Sequence, residues 1–166
     1  MIRLKYAVDQ LLFARNYTLD LLDTIDTVDW YQMPGPPVTH IGWQVGHLAM
    51  AEYRLVLVRI RGSRPGDEQL ISNDFLSLFG KSSVPSNDPG DYPGPDEIRA
   101  TLDRVHVAAL NLVRELPVDE LDKPIQEPHP IAKTKLDALI WCGQHEMLHA
   151  GQIGLLRRQL GYSPVW

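Results

Sequence analysis

The sequence is poor in cysteine and has no uninterrupted apolar run. Its one cysteine, Cys142, allows no intramolecular disulfide, which suits a reducing compartment. The N-terminus shows neither an apolar signal core nor a small-residue cleavage site. The longest weakly charged stretch, Ala138 to Leu156, approaches the length of a membrane span, but its histidines, glutamines and glutamate would be costly in lipid. We therefore expect a cytoplasmic protein without a membrane segment.

The chain also lacks a basic patch. Its net charge is −5 and its pI is about 5.6, so nucleic acid is not an expected partner. Apolar residues make up 44% and charged residues 22%, which argues against both a disordered chain and a coiled coil. A length of 166 residues fits one domain, residues 1–166, with its own hydrophobic core.

No segment has a convincing strand pattern, and four long segments repeat apolar residues at helical spacing. The predicted helices run from about Leu4 to about Val28, from Thr39 to about Gly62, from Pro95 to about Leu116, and from Thr134 to about Leu160. Pro95 fits a first helical position, and Thr134 with Asp137 forms a capping-box pattern. The sequence therefore predicts an all-α fold, a four-helix bundle.

A long loop, residues 62–94, connects the second and third predicted helices and is rich in proline and glycine. A connection of this length in a compact domain is usually functional or mobile. Inside it we predict a short helix from Asp67 to Phe79 that exposes Phe75, Leu76 and Phe79.

Two histidines of the fourth predicted helix form a candidate metal-binding pair. His145 and His149 are four residues apart, so their rings lie one turn apart and about 40° from each other around the helix axis. That geometry lets two imidazoles share one metal ion, and a third ligand would complete a site with open positions. The alternative is a pair of surface histidines, or of core histidines with ordinary hydrogen bonds.

The same segment spells the pattern of metalloproteases, in which Glu146 would act as general base. That class needs a third ligand, usually downstream, but no His, Asp or Glu follows His149. The chain also offers no strand to hold an extended peptide. We therefore interpret Glu146 as a solvated residue without a catalytic role.

Two segments resemble a known family. Gly42 to Ala49, with the sequence GWQVGHLA, is similar to the second-helix motif of the DinB/YfiT-like proteins. His145 to Ile153, HEMLHAGQI, followed by RRQLG at residues 157–161, is similar to their fourth-helix motif. The resemblance covers essentially the whole chain, and it includes the long loop between helices two and three.

This resemblance implies a four-helix bundle that holds one divalent metal ion, zinc or nickel in preference to manganese or iron. Carried over to this chain, the ligands are His47, His145 and His149. The resemblance assigns no role to the remaining histidines, and we expect none of them to be a ligand; they are His40, His106 and His129.

Two further side chains near the predicted ligands are of types that can bind a metal ion, but we do not expect either of them to do so. Glu52 points about 140° away from His47 around the second helix, so we predict a structural carboxylate with a buried partner. Cys142 falls near the predicted face of His145, where a thiolate could bind metal or act in redox chemistry. A small buried apolar residue is the better interpretation of Cys142.

The family is functionally mixed, so three hypotheses remain open. The first is a thiol S-transferase, using bacillithiol, mycothiol or glutathione against a small electrophile, with Arg54, Arg157 and Arg158 as substrate-binding residues. The second is a metal-dependent hydrolase that uses metal-bound hydroxide. The third is a non-catalytic, stress-linked metal-binding protein. The fourth helix is apolar on more than one side, which also allows a homodimer.

Overall fold

The computed structural model describes residues 2–35 and 38–165. Within these ranges the chain forms four long helices and one short helix, and it forms no strand beyond an isolated antiparallel bridge between Pro124 and Thr134. The predicted four-helix bundle is therefore confirmed. No helix in the described ranges combines the length and apolar character that a membrane crossing requires.

The second long helix is not uniform. The elements are α1 (Ile2–Leu22); α2, which consists of Ile41–Glu52, a π-helical turn Tyr53–Val58 and a final α-helical turn Arg59–Arg61; α3 (Asn73–Leu78); α4 (Pro95–Glu115); and α5 (Lys135–Gln159). α1 ends earlier than predicted, and a separate 3₁₀ turn, Thr27–Asp29, follows it.

The start of α2 is capped by a residue other than the predicted one. His40, not Thr39, is the N-cap, and its Nδ1 accepts a hydrogen bond from the Trp43 backbone N–H at 3.1 Å. The Thr39 hydroxyl accepts a hydrogen bond from the Gln44 side chain at 2.9 Å. An imidazole nitrogen therefore satisfies one of the free N–H groups at this helix end.

The other predicted helix ends are confirmed. Pro95 is the first residue of α4, and Thr134 and Asp137 form the capping box of α5. Gly62 and Gly161 adopt φ values of 83° and 94° after α2 and α5. Only glycine takes up this left-handed conformation without strain, so both residues stop their helices.

The core lies between all four long helices, with the most extensive packing between α1 and α5 and between α2 and α4. α1 and α5 approach closely at Gly143, where an added Cβ would lie 3.4 Å from the backbone of Gln10. Fully buried apolar side chains of the four long helices include Leu11, Leu48, Leu102 and Leu139.

The connection from Gly62 to Gly94 is partly helical, and its aromatic side chains face inward. It contains α3 and two 3₁₀ turns, Asp67–Gln69 and Pro89–Asp91. The predicted exposure of Phe75 and Phe79 is wrong, since they are only 6% and 0% exposed. Phe79 fits against α2 because Gly46 has no side chain there.

A charged network is buried at the centre of the bundle. The Arg15 guanidinium donates to Glu52 Oε2 and to Glu146 Oε1, both at 2.8 Å, and more weakly to the Leu102 carbonyl at 3.3 Å. His106 Nδ1 lies 2.8 Å from Glu52 Oε1. The expectation that Glu146 is solvated is wrong, because it pairs with a buried arginine. The buried partner predicted for Glu52 is confirmed.

The charges of this network stabilise one another. Burial alone would raise the pKa of Glu52, but Arg15 and His106 outweigh it and lower that pKa. Burial would likewise lower the pKa of Arg15, but the two carboxylates raise it above its ordinary value. Cys142 is buried beside this network, and burial together with Glu52 and Glu146 raises its thiol pKa. The interpretation of Cys142 as a buried apolar residue is confirmed.

Replacing Arg15 by methionine should destabilise the protein strongly. The substitution leaves the Glu52 and Glu146 carboxylates buried without their cation, and we expect a loss of about 3–5 kcal/mol in the free energy of unfolding. Urea denaturation followed by circular dichroism measures it. The matched control is Arg3→Met, which removes the exposed ion pair with Asp122 and should leave the midpoint unchanged within error. Equal effects of the two substitutions would contradict a structural role for the network.

Candidate metal centre

Three histidines meet at one point between α2 and α5. His47, His145 and His149 each offer a ring nitrogen, and these nitrogens lie within 4.8 Å of one another. Nε2 of His145 and Nε2 of His149 are 3.2 Å apart. Two imidazole nitrogens bound to one tetrahedral zinc ion at its usual bond lengths lie about 3.3 Å apart. The spacing of the pair therefore fits a shared ion.

Hydrogen bonds turn two of these rings toward the common point. His47 Nδ1 lies 2.9 Å from the Phe79 carbonyl oxygen, and His149 Nδ1 lies 2.5 Å from Gln44 Oε1. Both partners are acceptors, so each Nδ1 carries the proton and donates it. The Nε2 lone pair of each ring is then free to bind a metal ion, which is the usual arrangement of ligand histidines.

Gln44 is itself held in one orientation. Its amide nitrogen donates to Thr39 Oγ1 at 2.9 Å and to Gln152 Oε1 at 2.8 Å. The amide oxygen is therefore the atom that faces His149. This chain of hydrogen bonds links the beginning of α2 to α5 across the candidate centre.

The connection between α2 and α4 supports the centre from the other side. The Trp43 ring stacks on the His47 imidazole with 4.8 Å between ring centroids and 16° between ring planes. Trp43 Nε1 donates to Ser83 Oγ at 2.9 Å, and that hydroxyl donates to the Gly80 carbonyl at 2.8 Å. Residues 79–83 thus help to fix the position of His47.

Burial keeps the three imidazoles neutral. Burial, with a smaller contribution from neighbouring imidazoles, lowers the pKa of His145 to about 4 and that of His149 to about 3. Burial and the positive charge of Arg54 also lower the pKa of His47, although a hydrogen bond to the Phe79 backbone opposes this. At neutral pH all three rings are neutral imidazoles, the form that a metal ion requires.

The histidines open onto a pocket of about 570 Å³. Trp43 and Trp141 supply aromatic surface, and Arg54, Arg59 and Lys81 supply positive charge. No carboxylate lines this pocket among the residues that the structure describes. The pocket therefore offers a ligand cations, aromatic rings and the open side of a metal site.

The structure places the three predicted substrate-binding arginines in different surroundings. Arg54 lines the pocket, but Arg157 and Arg158 do not. Arg157 is buried and donates to Thr24 Oγ1 at 2.6 Å and to the Ser163 carbonyl at 3.0 Å, so it ties the C-terminal segment to the bundle. Arg158 is exposed. Both lie more than two turns beyond His149 along α5, which carries them past the pocket.

The other histidines are not part of the cluster. His40 caps α2, and His106 belongs to the buried charged network. His129 lines the pocket from the loop before α5, with its Nδ1 accepting from the Ala132 backbone N–H at 3.1 Å. Sequence reasoning gave His129 no role, because no local spacing relates this loop to the two ligand helices.

Two other residues of the site were also missed. Gln44 precedes His47 by three residues on a helix, which was a usable signal for a supporting residue. Arg59 carried no such signal, because a regular α-helix would turn it away from Arg54.

The protein is therefore a helical bundle with a candidate three-histidine metal centre. Its neutral imidazoles come from two helices and face one another at an open pocket. The sequence profile of the DinB superfamily matches residues 10–153, and the chain belongs to this superfamily. The resemblance seen in the sequence is thereby confirmed. A search of curated proteins found no match to the chain.

Replacing Gly46 by alanine should weaken metal binding. An added Cβ would lie 2.4–2.5 Å from ring atoms of the fully buried Phe79, whose carbonyl orients His47. We expect metal affinity to fall by about 10- to 100-fold and stability to fall by about 1–3 kcal/mol. Zinc titration and thermal denaturation measure the two effects.

Gly154→Ala is the matched control, because an added Cβ there meets nothing within 4 Å on α5. It should leave zinc affinity unchanged and raise stability by up to about 1 kcal/mol through helix propensity. Wild-type zinc affinity in Gly46→Ala would show that the contact with Phe79 does not position His47.

Metal affinity should resist mild acid. Protons compete with a metal ion only when the free imidazoles take them up, and His145 and His149 do so at a pKa of about 4 and about 3. The pKa of His47 is lowered as well, so we expect the apparent affinity for cobalt to hold as the pH falls from about 7.5 through the ordinary histidine pKa of about 6.5, and to be lost as the pH nears about 4. Absorbance titrations with cobalt across this range measure it. A decline that begins near pH 6.5, the ordinary histidine pKa, would contradict the effect of burial.

Proposed function

We propose that this protein is a divalent-metal-dependent enzyme that activates a low-molecular-weight thiol for attack on a small electrophile. The observation that carries the proposal is the cluster of His47, His145 and His149 at a pocket that no carboxylate of the described residues lines. A divalent ion held by three imidazoles keeps open positions and lowers the pKa of a thiol or water molecule that binds there. Three neutral nitrogen ligands suit zinc or nickel, which we propose as the metal.

The surroundings of the histidines favour a thiol over water as the nucleophile. Hydrolases with a metal site commonly use a carboxylate as general base, and the natural candidate in this chain is Glu146. Its carboxylate is buried and bonded to Arg15 on another face of α5, so it is not available to a substrate in the pocket. A thiol needs less assistance, because its ordinary pKa is far lower than that of water.

The pocket residues then have distinct tasks in thiol transfer. Arg54 would bind a carboxylate of the thiol co-substrate, since its guanidinium is exposed at the pocket and forms no ion pair within the described residues. Trp43 and Trp141 would shelter the reacting atoms and bind the apolar part of the electrophile. The thiol proton leaves to solvent, and sulfur forms the new carbon–sulfur bond. With a halogenated compound the carbon–halogen bond breaks and halide departs with its electron pair. With an epoxide the carbon–oxygen bond opens, and the oxygen stays on the product and takes up a proton from solvent.

The proposal is tested with metal content and turnover together. Chain purified without chelator or histidine tag should contain about one zinc or nickel ion, which His145→Ala should lose. Metal-loaded chain should accelerate the reaction of at least one of glutathione, bacillithiol or mycothiol with a chromogenic halogenated arene or an epoxide. We expect His145→Ala to be at least about 100-fold slower, because the nucleophile is no longer activated.

Arg114→Ala is the control for that experiment. This arginine of α4 is exposed and does not line the pocket, so its loss should change neither metal content nor rate. A parallel assay offers nitrophenyl esters without any thiol. Hydrolysis of the esters without any thiol transfer would identify the protein as a hydrolase instead. Absence of both activities in metal-loaded chain would refute a catalytic role toward these substrates.

A further inference from the structure

The π-helical turn of α2 brings two arginines to the same place. Arg54 and Arg59 are five residues apart, and in a regular α-helix their side chains would point about 140° away from each other. The wider turn of Tyr53–Val58 changes this, because the Arg59 backbone N–H donates to the Arg54 carbonyl five residues earlier. Residues so paired lie about one turn apart on one side of the helix.

Both arginines stand between two pockets. They line the pocket of the three histidines, and they also line an adjacent pocket of about 540 Å³ that Ser63, Arg64 and Asn73 help to form. A ligand group placed at this boundary would lie beside both arginines. Asp67, Glu68 and Glu127 also line the second pocket, so an anion bound there would extend toward the histidines.

Neither arginine belongs to an ion pair within the described part of the chain. The ion pairs found there use other cations, and Arg54 and Arg59 belong to none of them. Arg59 Nη1 donates to the Arg54 carbonyl at 3.0 Å, while Arg59 Nε is buried without a hydrogen-bond partner. A buried donor without a partner is costly, so the protein itself leaves the Arg59 guanidinium incompletely satisfied.

Several positive charges lie near one another around Arg54 and Arg59. Burial lowers the pKa of Arg59, and the charge of Arg54 lowers it further, with only the carboxylate of Glu127 opposing them. Lys81 adds a third positive charge to the wall of the histidine pocket, although the chain as a whole carries a net charge of −5. An anion would relieve this repulsion, and π-helical turns are frequent at functional sites.

We propose that Arg54 and Arg59 form an anion-binding subsite beside the three histidines, and that it holds a carboxylate or phosphate group of the substrate. A guanidinium fork matches the two oxygens of either group. The inference rests on the proposed function in taking the histidine pocket as the substrate pocket, and it narrows the substrate class to small anions. The binding itself needs no catalysis and can be measured without turnover.

The test is a calorimetric titration of the full chain with inorganic phosphate and, separately, with succinate at constant ionic strength. Each titration is done on zinc-loaded chain and on chain stripped of metal by a chelator. We expect saturable binding of at least one anion in both forms. The anion that binds more tightly then indicates whether the substrate carries a phosphate or a carboxylate group.

Substitutions assign the binding to the two arginines. Arg54→Met and Arg59→Met should each weaken it by roughly tenfold or more, and Arg59→Lys should restore it only in part because lysine lacks the fork. Arg114→Met, which removes an exposed arginine of α4 outside both pockets, should have no effect. Circular dichroism and zinc content check that each variant is folded, and exposed Arg54 provides the test if Arg59→Met does not fold.

The outcomes separate the two proposals. Binding that occurs only with zinc and ignores both arginines would place the anion on the metal and overturn the subsite. Absence of saturable binding by either anion would overturn it as well. Arginine-dependent binding in a chain without thiol transfer would leave the subsite standing and remove only the proposed reaction.

Discussion

The structure depends on one buried cation. Arg15 on α1 holds Glu52 on α2 and Glu146 on α5 through hydrogen bonds of 2.8 Å. Charges at this depth are costly unless they are paired, so the three helices cannot slide or rotate independently without breaking the network. Glu146 follows His145 directly in the sequence, and Glu52 follows His47 by five residues. The network that fixes these carboxylates therefore also fixes the helices that carry the imidazoles.

α5 separates two kinds of chemistry on neighbouring faces. The face toward α1 carries the Glu146 carboxylate, which is hydrogen-bonded to Arg15, while the adjacent face presents His145 and His149 as neutral imidazoles. The separation bears on the proposed function. A carboxylate pointing into the pocket would repel the proposed anionic substrate and compete for a bound metal ion, whereas neutral donors would leave the positive charge of such an ion to the substrate. The match of residues 145–149 to the metalloprotease pattern is thus a coincidence of spacing.

The long connection and the π-helical turn shape the pocket around this centre. Phe79 is buried against Gly46 and supplies the carbonyl that orients His47, while Lys81 from the same segment reaches the pocket. The π-helical turn inserts one extra residue into a turn of α2 and thereby gathers Arg54 and Arg59. Both features place candidate functional residues on irregular backbone that the helical bundle supports.

The sequence by itself determined the four helices, most of their ends and the pairing of His145 with His149, because apolar periodicity, caps and i to i+4 spacing are local properties. It identified His47 only through family resemblance, since no local rule relates residues of different helices. The tertiary structure alone decided that Glu146 is buried, that Phe79 faces inward, that Arg157 is taken up by the C-terminal segment and that Arg59 joins Arg54. The first three depend on contacts with a side chain or backbone group of another element. The last depends on an extra residue in one helical turn. The apolar pattern of a single helix predicts neither kind of feature.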